Sequence, residues 1–165
     1  MIFVIFALIA GFLTKLADKY SEKKERRRII GAVYGIIYGL AIVVGGLLAP
    51  ELASLIVGIT IGNVFAGKID RMEHIIALFI IMAFAIYSIN SINLAILAGF
   101  AIAAFADEVM HEYSKKLKGL AGRITEMRII SPMFALGLLP ITWVCFVYIV
   151  SFDVGYSIRT LYKSK

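Results

Sequence analysis

Hydrophobic positions in this chain come in runs rather than stripes. Six apolar segments follow one another, from about Ile2 to Leu16, Ile29 to Ala49, Leu52 to Ala66, Ile75 to Ser88, Ile92 to Ala106 and Ile129 to Val150. A half-exposed strand would alternate every second residue, and a surface helix would show a stripe at 3.6 residues. Continuous runs point instead to helices that cross a membrane. Several runs hold only about 14–16 purely apolar residues, short of the roughly 20 that span a bilayer. Their polar flanks are therefore expected to continue as helix into the headgroup layer. The expected fold is all-α: a polytopic integral membrane helix bundle of about six transmembrane segments, one domain over residues 1–165.

The punctuation supports this division. Pro50 suits the first turn of a helix, with Glu51 beside the positive helix N-terminus. Pro132 and Pro140 interrupt the last segment and allow a broken or re-entrant helix there. Gly31, Gly35 and Gly39 recur every four residues, as do Gly58 and Gly62. Such strips let helix backbones approach closely. Packing within the chain is the favoured use, and homo-oligomer formation through the strips is the alternative. Tyr34, Tyr38, Phe79, Phe84 and Trp143 read as lipid-facing residues or core filler.

Composition agrees with the pattern. The chain is 61% hydrophobic, with a mean hydropathy of +0.93. The opening MIFVIFALIAGFL has no basic region before its apolar stretch and leads into more of the same, so it reads as a retained first span and not a signal peptide. Cys145 stands alone in an apolar run, which leaves no disulfide framework. Glutamine is absent while Ile, Lys, Arg and Glu are plentiful, a balance that fits a thermophile.

Charge sets the orientation. Of 17 Lys and Arg, seven lie between Lys15 and Arg28, two are Lys68 and Arg71, and five lie between Lys115 and Arg128. The turns at Ala49–Glu51 and Ser88–Ile92 have none. The positive-inside rule then makes the three basic loops cytoplasmic and puts the N-terminus outside a multi-pass cell-membrane protein. Arg159, Lys163 and Lys165 fit poorly, because six full spans would leave that tail outside.

Three span ends on the cytoplasmic side carry the chemistry. The first has Lys15 and Asp18, and the second has Asn63, Lys68, Asp70, Arg71, Glu73 and His74. The third has Asp107, Glu108, His111 and Glu112. Both histidines of the chain are in this set, each four residues after an aspartate. On a helix that spacing stacks the two side chains on one face. Glu108 and His111 also form the Glu-x-x-His pair that di-metal bundles use. Asp18, Asp70, Glu73, His74, Asp107, Glu108, His111 and Glu112 are thus candidate ligands for a divalent metal: Mg²⁺, Mn²⁺ or Zn²⁺. The mixed imidazole and carboxylate set leans toward a transition metal. His74 or His111, if not on the metal, could serve as general base. Lys15, Lys68 and Arg71 are candidate phosphate holders, and Asn63 would orient a ligand or cross-link two helices.

The chain has no P-loop, Rossmann glycine fingerprint, G-x-S-x-G elbow or H-E-x-x-H. Nor does it have the multi-aspartate signatures of membrane CDP-alcohol phosphotransferases or intramembrane prenyltransferases. The expected partners are membrane lipids and a divalent metal ion, with no nucleic acid. The leading expectation is a membrane-embedded metal-dependent enzyme, a phosphohydrolase or phosphotransferase of lipid head groups at the cytoplasmic surface. A small transporter or channel, and an assembly subunit with no enzymatic role, are the alternatives. Convergence of the three span ends would favour the enzyme, and scattering around the rim the assembly subunit.

Overall fold

The computed structural model describes residues 1–21, 28–114 and 128–161. Much of the basic 22–27 stretch, Lys115, Lys116, Lys163 and Lys165 lie outside the described residues. Among those described there are seven α-helices and no strand: α1 (Ile2–Ser21), α2 (Arg28–Leu48), α3 (Ala53–Phe65), α4 (Met72–Tyr87), α5 (Leu94–Ser114), α6 (Ile130–Gly137) and α7 (Trp143–Leu161). One-turn 3₁₀ helices at Pro50–Leu52 and Ile89–Ser91 join α2 to α3 and α4 to α5. Pro50 opens the first of these, a position where its missing N–H costs nothing.

Two helices are long and apolar enough to cross a membrane: α2, over Ile29–Leu48, and α5. The others fall short for visible reasons. Lys15, Asp18 and Lys19 interrupt the end of α1, α3 has 13 residues and α4 has 16. The last apolar segment is not one helix. Pro132 sits in the first turn of α6, where it is tolerated, and the turn over 138–142 that contains Pro140 separates α6 from α7.

Helix directions follow from which side chains meet. Phe6 approaches Gly45 and Tyr20 stacks on Tyr34, so α1 and α2 are antiparallel. Gly35 lies against Glu73, Gly39 against Ala77 and Gly46 against Phe84, which makes α2 and α4 parallel. Gly58 meets Leu97 and Gly62 meets Ala101, so α3 and α5 are parallel too. The hairpin α2–α3 thus packs alongside the hairpin α4–α5, and the two glycine strips are the seam. A Cβ at Gly58 or Gly62 would stand 2.5 Å from a carbonyl oxygen of α5. Close backbone approach of this kind is how helices associate where both neighbours are apolar.

The last helix returns to the first. Trp143 touches Phe3 at 6.2 Å between ring centroids, Gly11 faces Phe152, and Gly155 faces Leu8. A Cβ at Gly11 would fall 2.0 Å from the Phe152 carbonyl oxygen. α7 is therefore parallel to α1, and its C-terminal end lies beside Lys15 and Asp18. The core between the two ends is filled by Leu52, Leu55, Phe84, Phe100, Cys145 and Tyr148. On the outside, large apolar side chains stand exposed along the helices, among them Ile5, Ile36, Leu40, Phe79, Ile86, Ile102 and Met133.

Candidate functional site

All the polar candidates lie at one end of the bundle, in two clusters. The turn between α3 and α4 sends side chains to both. Gly67 ends α3 with φ +68°, a left-handed conformation that suits glycine. Its N–H donates to the Val64 carbonyl at 3.0 Å, and that of Lys68 donates to the Asn63 carbonyl at 3.0 Å. This pair of bonds is a Schellman closure, and it gives Asn63 its clear role, through the backbone. Arg71 is the extended N-cap of α4, and its carbonyl accepts the N–H groups of His74 and Ile75, each at 3.0 Å.

This turn corrects the expected pairing of Asp70 with His74. Helix α4 begins at Met72, so Asp70 precedes it, exposed, and shares no helical face with His74. His74 reaches α1 instead. Its Nε2 lies 3.1 Å from Asp18 Oδ1, and its Nδ1 lies 2.7 Å from the Tyr38 hydroxyl. That hydroxyl is also 3.4 Å from the backbone carbonyl of Glu73. The other Asp18 oxygen, Oδ2, accepts from the Tyr156 hydroxyl at 3.1 Å. Lys15 Nζ donates to the same tyrosine oxygen at 3.1 Å and sits 4.4 Å from its ring centroid. Lys15, Tyr156, Asp18, His74 and Tyr38 thus form one hydrogen-bonded chain across α1, α7, α4 and α2. Burial pushes the Asp18 carboxyl upward. The hydrogen bond and charge of His74, the Tyr156 hydroxyl and Lys15 outweigh it and leave the group below its ordinary value.

Glu73 completes this cluster from α4. It is only 2% exposed, and its Oε1 is buried without a hydrogen-bond partner. Asp18, Glu73 and His74 each offer a ligand atom, all within 4.8 Å of one another. Gly35 makes room for them: a Cβ there would stand 2.5 Å from the Glu73 carbonyl oxygen. Among the described residues this is the one group of three or more such side chains close enough to hold a metal ion.

The second cluster spends its acids differently. Asp107 is buried in α5, and its two oxygens accept the N–H groups of Ile130 and Ser131, both at 2.8 Å. It is the cap of α6, satisfying two donors that the first turn leaves open. Glu108, also buried, pairs with Arg128 at 3.0 Å and with Lys68 at 3.7 Å. Lys68 also binds Glu112. Arg128 adopts φ 48° and leads directly into α6. His111 is half-buried with its Nδ1 unpartnered.

Of the eight expected ligands, Asp18, Glu73 and His74 come together. Asp107, Glu108, His111 and Glu112 sit on α5 in the other cluster, and Asp70 stands apart in the turn. Of the expected phosphate holders, Lys15 adjoins Asp18 through Tyr156, Lys68 is engaged by two glutamates, and Arg71 starts α4. Tyr38, read from the sequence as lipid-facing or core filler, instead bonds His74, and sequence reasoning passed over Tyr156 and Arg128. Tyr38 was readable, since it lies three residues from Gly35 and one from Gly39 and so falls near the face of the strip. Tyr156 and Arg128 carry no such mark.

Comparison with protein-family models, with curated proteins and with solved structures finds no match for this chain.

Proposed function

We propose that this chain is a multi-pass cell-membrane protein with its N-terminus outside, and that its polar end lies in the cytoplasmic headgroup layer. There it acts as a metal-dependent enzyme on a phosphorylated lipid head group. The observation that carries this reading is the meeting of an ammonium, two carboxylates, an imidazole and two phenols from α1, α2, α4 and α7 at one end of an apolar bundle.

Several features support the membrane. The exposed aliphatic and aromatic side chains along the helices would be costly in water on this scale, and they suit lipid. The parallel packing of α1 and α7 brings the C-terminal end of α7 to the end where Lys15 and Lys68 lie. With the N-terminus outside, the C-terminal end of α7 then lies on the cytoplasmic side, beside the basic turn of Lys68 and Arg71. α6 and the turn after it serve as the outward leg, a broken crossing covered by α5 and α7.

The chemistry follows from the donor types. A divalent ion held by carboxylates and an imidazole would polarise a phosphoryl oxygen and lower the pKa of bound water. Lys15, next to Asp18, would pair with a phosphate oxygen. Lys68 is less suited, because Glu108 and Glu112 already neutralise it. Transport has less support: Leu55, Phe84, Phe100 and Cys145 fill the core with apolar side chains, whereas a pathway needs polar groups.

The test is release of phosphate from a phosphomonoester lipid by the full chain in vesicles supplied with Mn²⁺. Lys15→Ala should raise KM about tenfold or more, the scale of one charge-assisted contact, while Lys68→Ala should change it by less than about twofold. Absence of release with every divalent metal tried would overturn the reading, as would equal effects of the two variants.

A further inference from the structure

We infer that Asp18, Glu73 and His74 form a single-ion site for a divalent first-row transition metal, with Tyr38 and Tyr156 as the groups that position two of its ligands. The inference deepens the function proposed above and rests on it for the metal's use, but the ion binding stands on geometry of its own.

The first part of that geometry is spacing. Asp18 Oδ1 and His74 Nε2 lie 3.1 Å apart. Two neighbouring ligands each about 2.0–2.2 Å from one ion stand roughly 3 Å apart. The pair therefore needs little movement to exchange its shared proton for an ion. The second part is the unpartnered carboxylate. A buried carboxylate oxygen without a hydrogen bond is expensive, and Glu73 keeps one on a carboxylate that lies within 4.8 Å of the Asp18 and His74 ligand atoms. Clusters of acids are common at protein surfaces; a buried glutamate with an open oxygen beside an aspartate and a histidine is not.

The third part is the outer set of contacts. When His74 uses Nε2 for the ion, neutral imidazole keeps its proton on Nδ1, and that N–H would donate to the Tyr38 oxygen 2.7 Å away. The Tyr38 hydroxyl would then donate to the Glu73 carbonyl at 3.4 Å, on the residue next to His74 in α4. Asp18 has a matching support, since Tyr156 already holds its second oxygen and leaves the first for the ion. Metal-bound histidines and carboxylates are commonly oriented by such partners. Glu73 has none on Oε1 and completes the set by its own movement.

The donor set selects the class of ion. One nitrogen and two carboxylate oxygens suit Mn²⁺, Fe²⁺, Co²⁺ or Zn²⁺, whereas Mg²⁺ prefers oxygen alone and keeps its waters. Two carboxylates neutralise the ion's charge, and three protein ligands leave at least one position for water or a phosphoryl oxygen. Lys15, held by Tyr156, adds a positive charge beside Asp18.

The experiment is titration of the chelator-stripped full chain in detergent with Co²⁺, read by its visible absorption, with Zn²⁺ and Mg²⁺ as competitors. One Co²⁺ per chain is expected, displaced by Zn²⁺ and not by Mg²⁺ at the same concentration. Glu73→Gln and His74→Ala should each abolish the band. Tyr38→Phe should keep it, because the ligands remain, while weakening binding about 10–100-fold. His111→Ala and Glu108→Gln should bind as the parent does. A Glu73→Gln variant that is folded by circular dichroism yet binds Co²⁺ normally would overturn the site, as would loss of the band in His111→Ala. Absence of any Co²⁺ band in the parent chain would overturn it too. A normal band in a protein that releases no phosphate would instead sink the proposed function and leave the site standing.

Discussion

Two clusters of acid and base share one end of this bundle, and they are not equivalent. Asp107 and Glu108 have both carboxylates committed: the first caps α6 with two oxygens, and the second binds Arg128 and Lys68. Around Asp18, Glu73 and His74 the commitment is partial, because Glu73 keeps a buried oxygen without a partner. The same residue types thus serve structure in one place and leave binding capacity in the other. What separates them is whether backbone N–H groups or cations reach the carboxylates. In α5 the returning chain at 128–131 supplies both. Around Asp18 and His74 the partners are the Tyr38 and Tyr156 hydroxyls and Lys15, and none of them reaches Glu73 Oε1.

The contrast is sharpest under substitution. Asp107→Ala should give the largest effect, because it strands two N–H groups at the start of α6. We expect a loss of about 2–4 kcal/mol in unfolding free energy, from a lost cap and unmet buried donors. Denaturant unfolding would measure it, with Co²⁺ binding unchanged in the folded fraction. A loss of metal with full stability would invert the assignment of the two clusters. Glu73→Gln should do the reverse. Without metal the variant should be more stable than the parent by about 0.5–1 kcal/mol, since a neutral amide is cheaper to bury unpaired than a carboxylate. Added Zn²⁺ should raise the parent's melting temperature through linkage and leave that of the variant unmoved. The smallest effect belongs to Lys68→Met. Lys68 and Glu112 are 32% and 50% exposed, and an exposed pair of this kind contributes about 0–1 kcal/mol. A larger drop, in stability or in metal binding, would show that the turn between α3 and α4 couples the clusters.

Much of this was readable from the sequence, unevenly. The apolar runs gave helices close to those observed, and Pro132 with Pro140 marked the broken last segment. The strips through Gly35 and Gly58 pointed to close packing, which α4 and α5 supply. The acids and histidines concentrated at the segment ends come to one end of the bundle. The partners within it were harder. Asp70 and His74 looked stacked because the spacing was taken as helical, and Gly67 had already stopped α3 before Asp70. Asp18 joined His74 because α1 and α4 both pack on α2 at one level, a tertiary fact that no spacing records. Asp107 looked like a ligand because its role depends on the N–H groups of Ile130 and Ser131, more than twenty residues later. About six transmembrane segments were expected, the last of them broken or re-entrant, whereas two helices have the length and apolarity to cross and the last segment divides into α6 and α7.

The seam between α1 and α7 has a consequence for how the molecule comes to exist. Gly11 and Gly155 bring the backbones together so closely that no side chain would fit between them. Lys15 and Tyr156, bonded across the seam, are 141 residues apart. The face of α1 that Gly11 marks is therefore covered only when α7 is made, although α2 packs on another face of α1 earlier. Contacts of such long range slow folding and leave surface exposed to wrong partners. A chain truncated before Trp143 would keep both hairpins and yet lack one wall of the Asp18 cluster. The Asp18 cluster would thus be complete only once Tyr156 is in place.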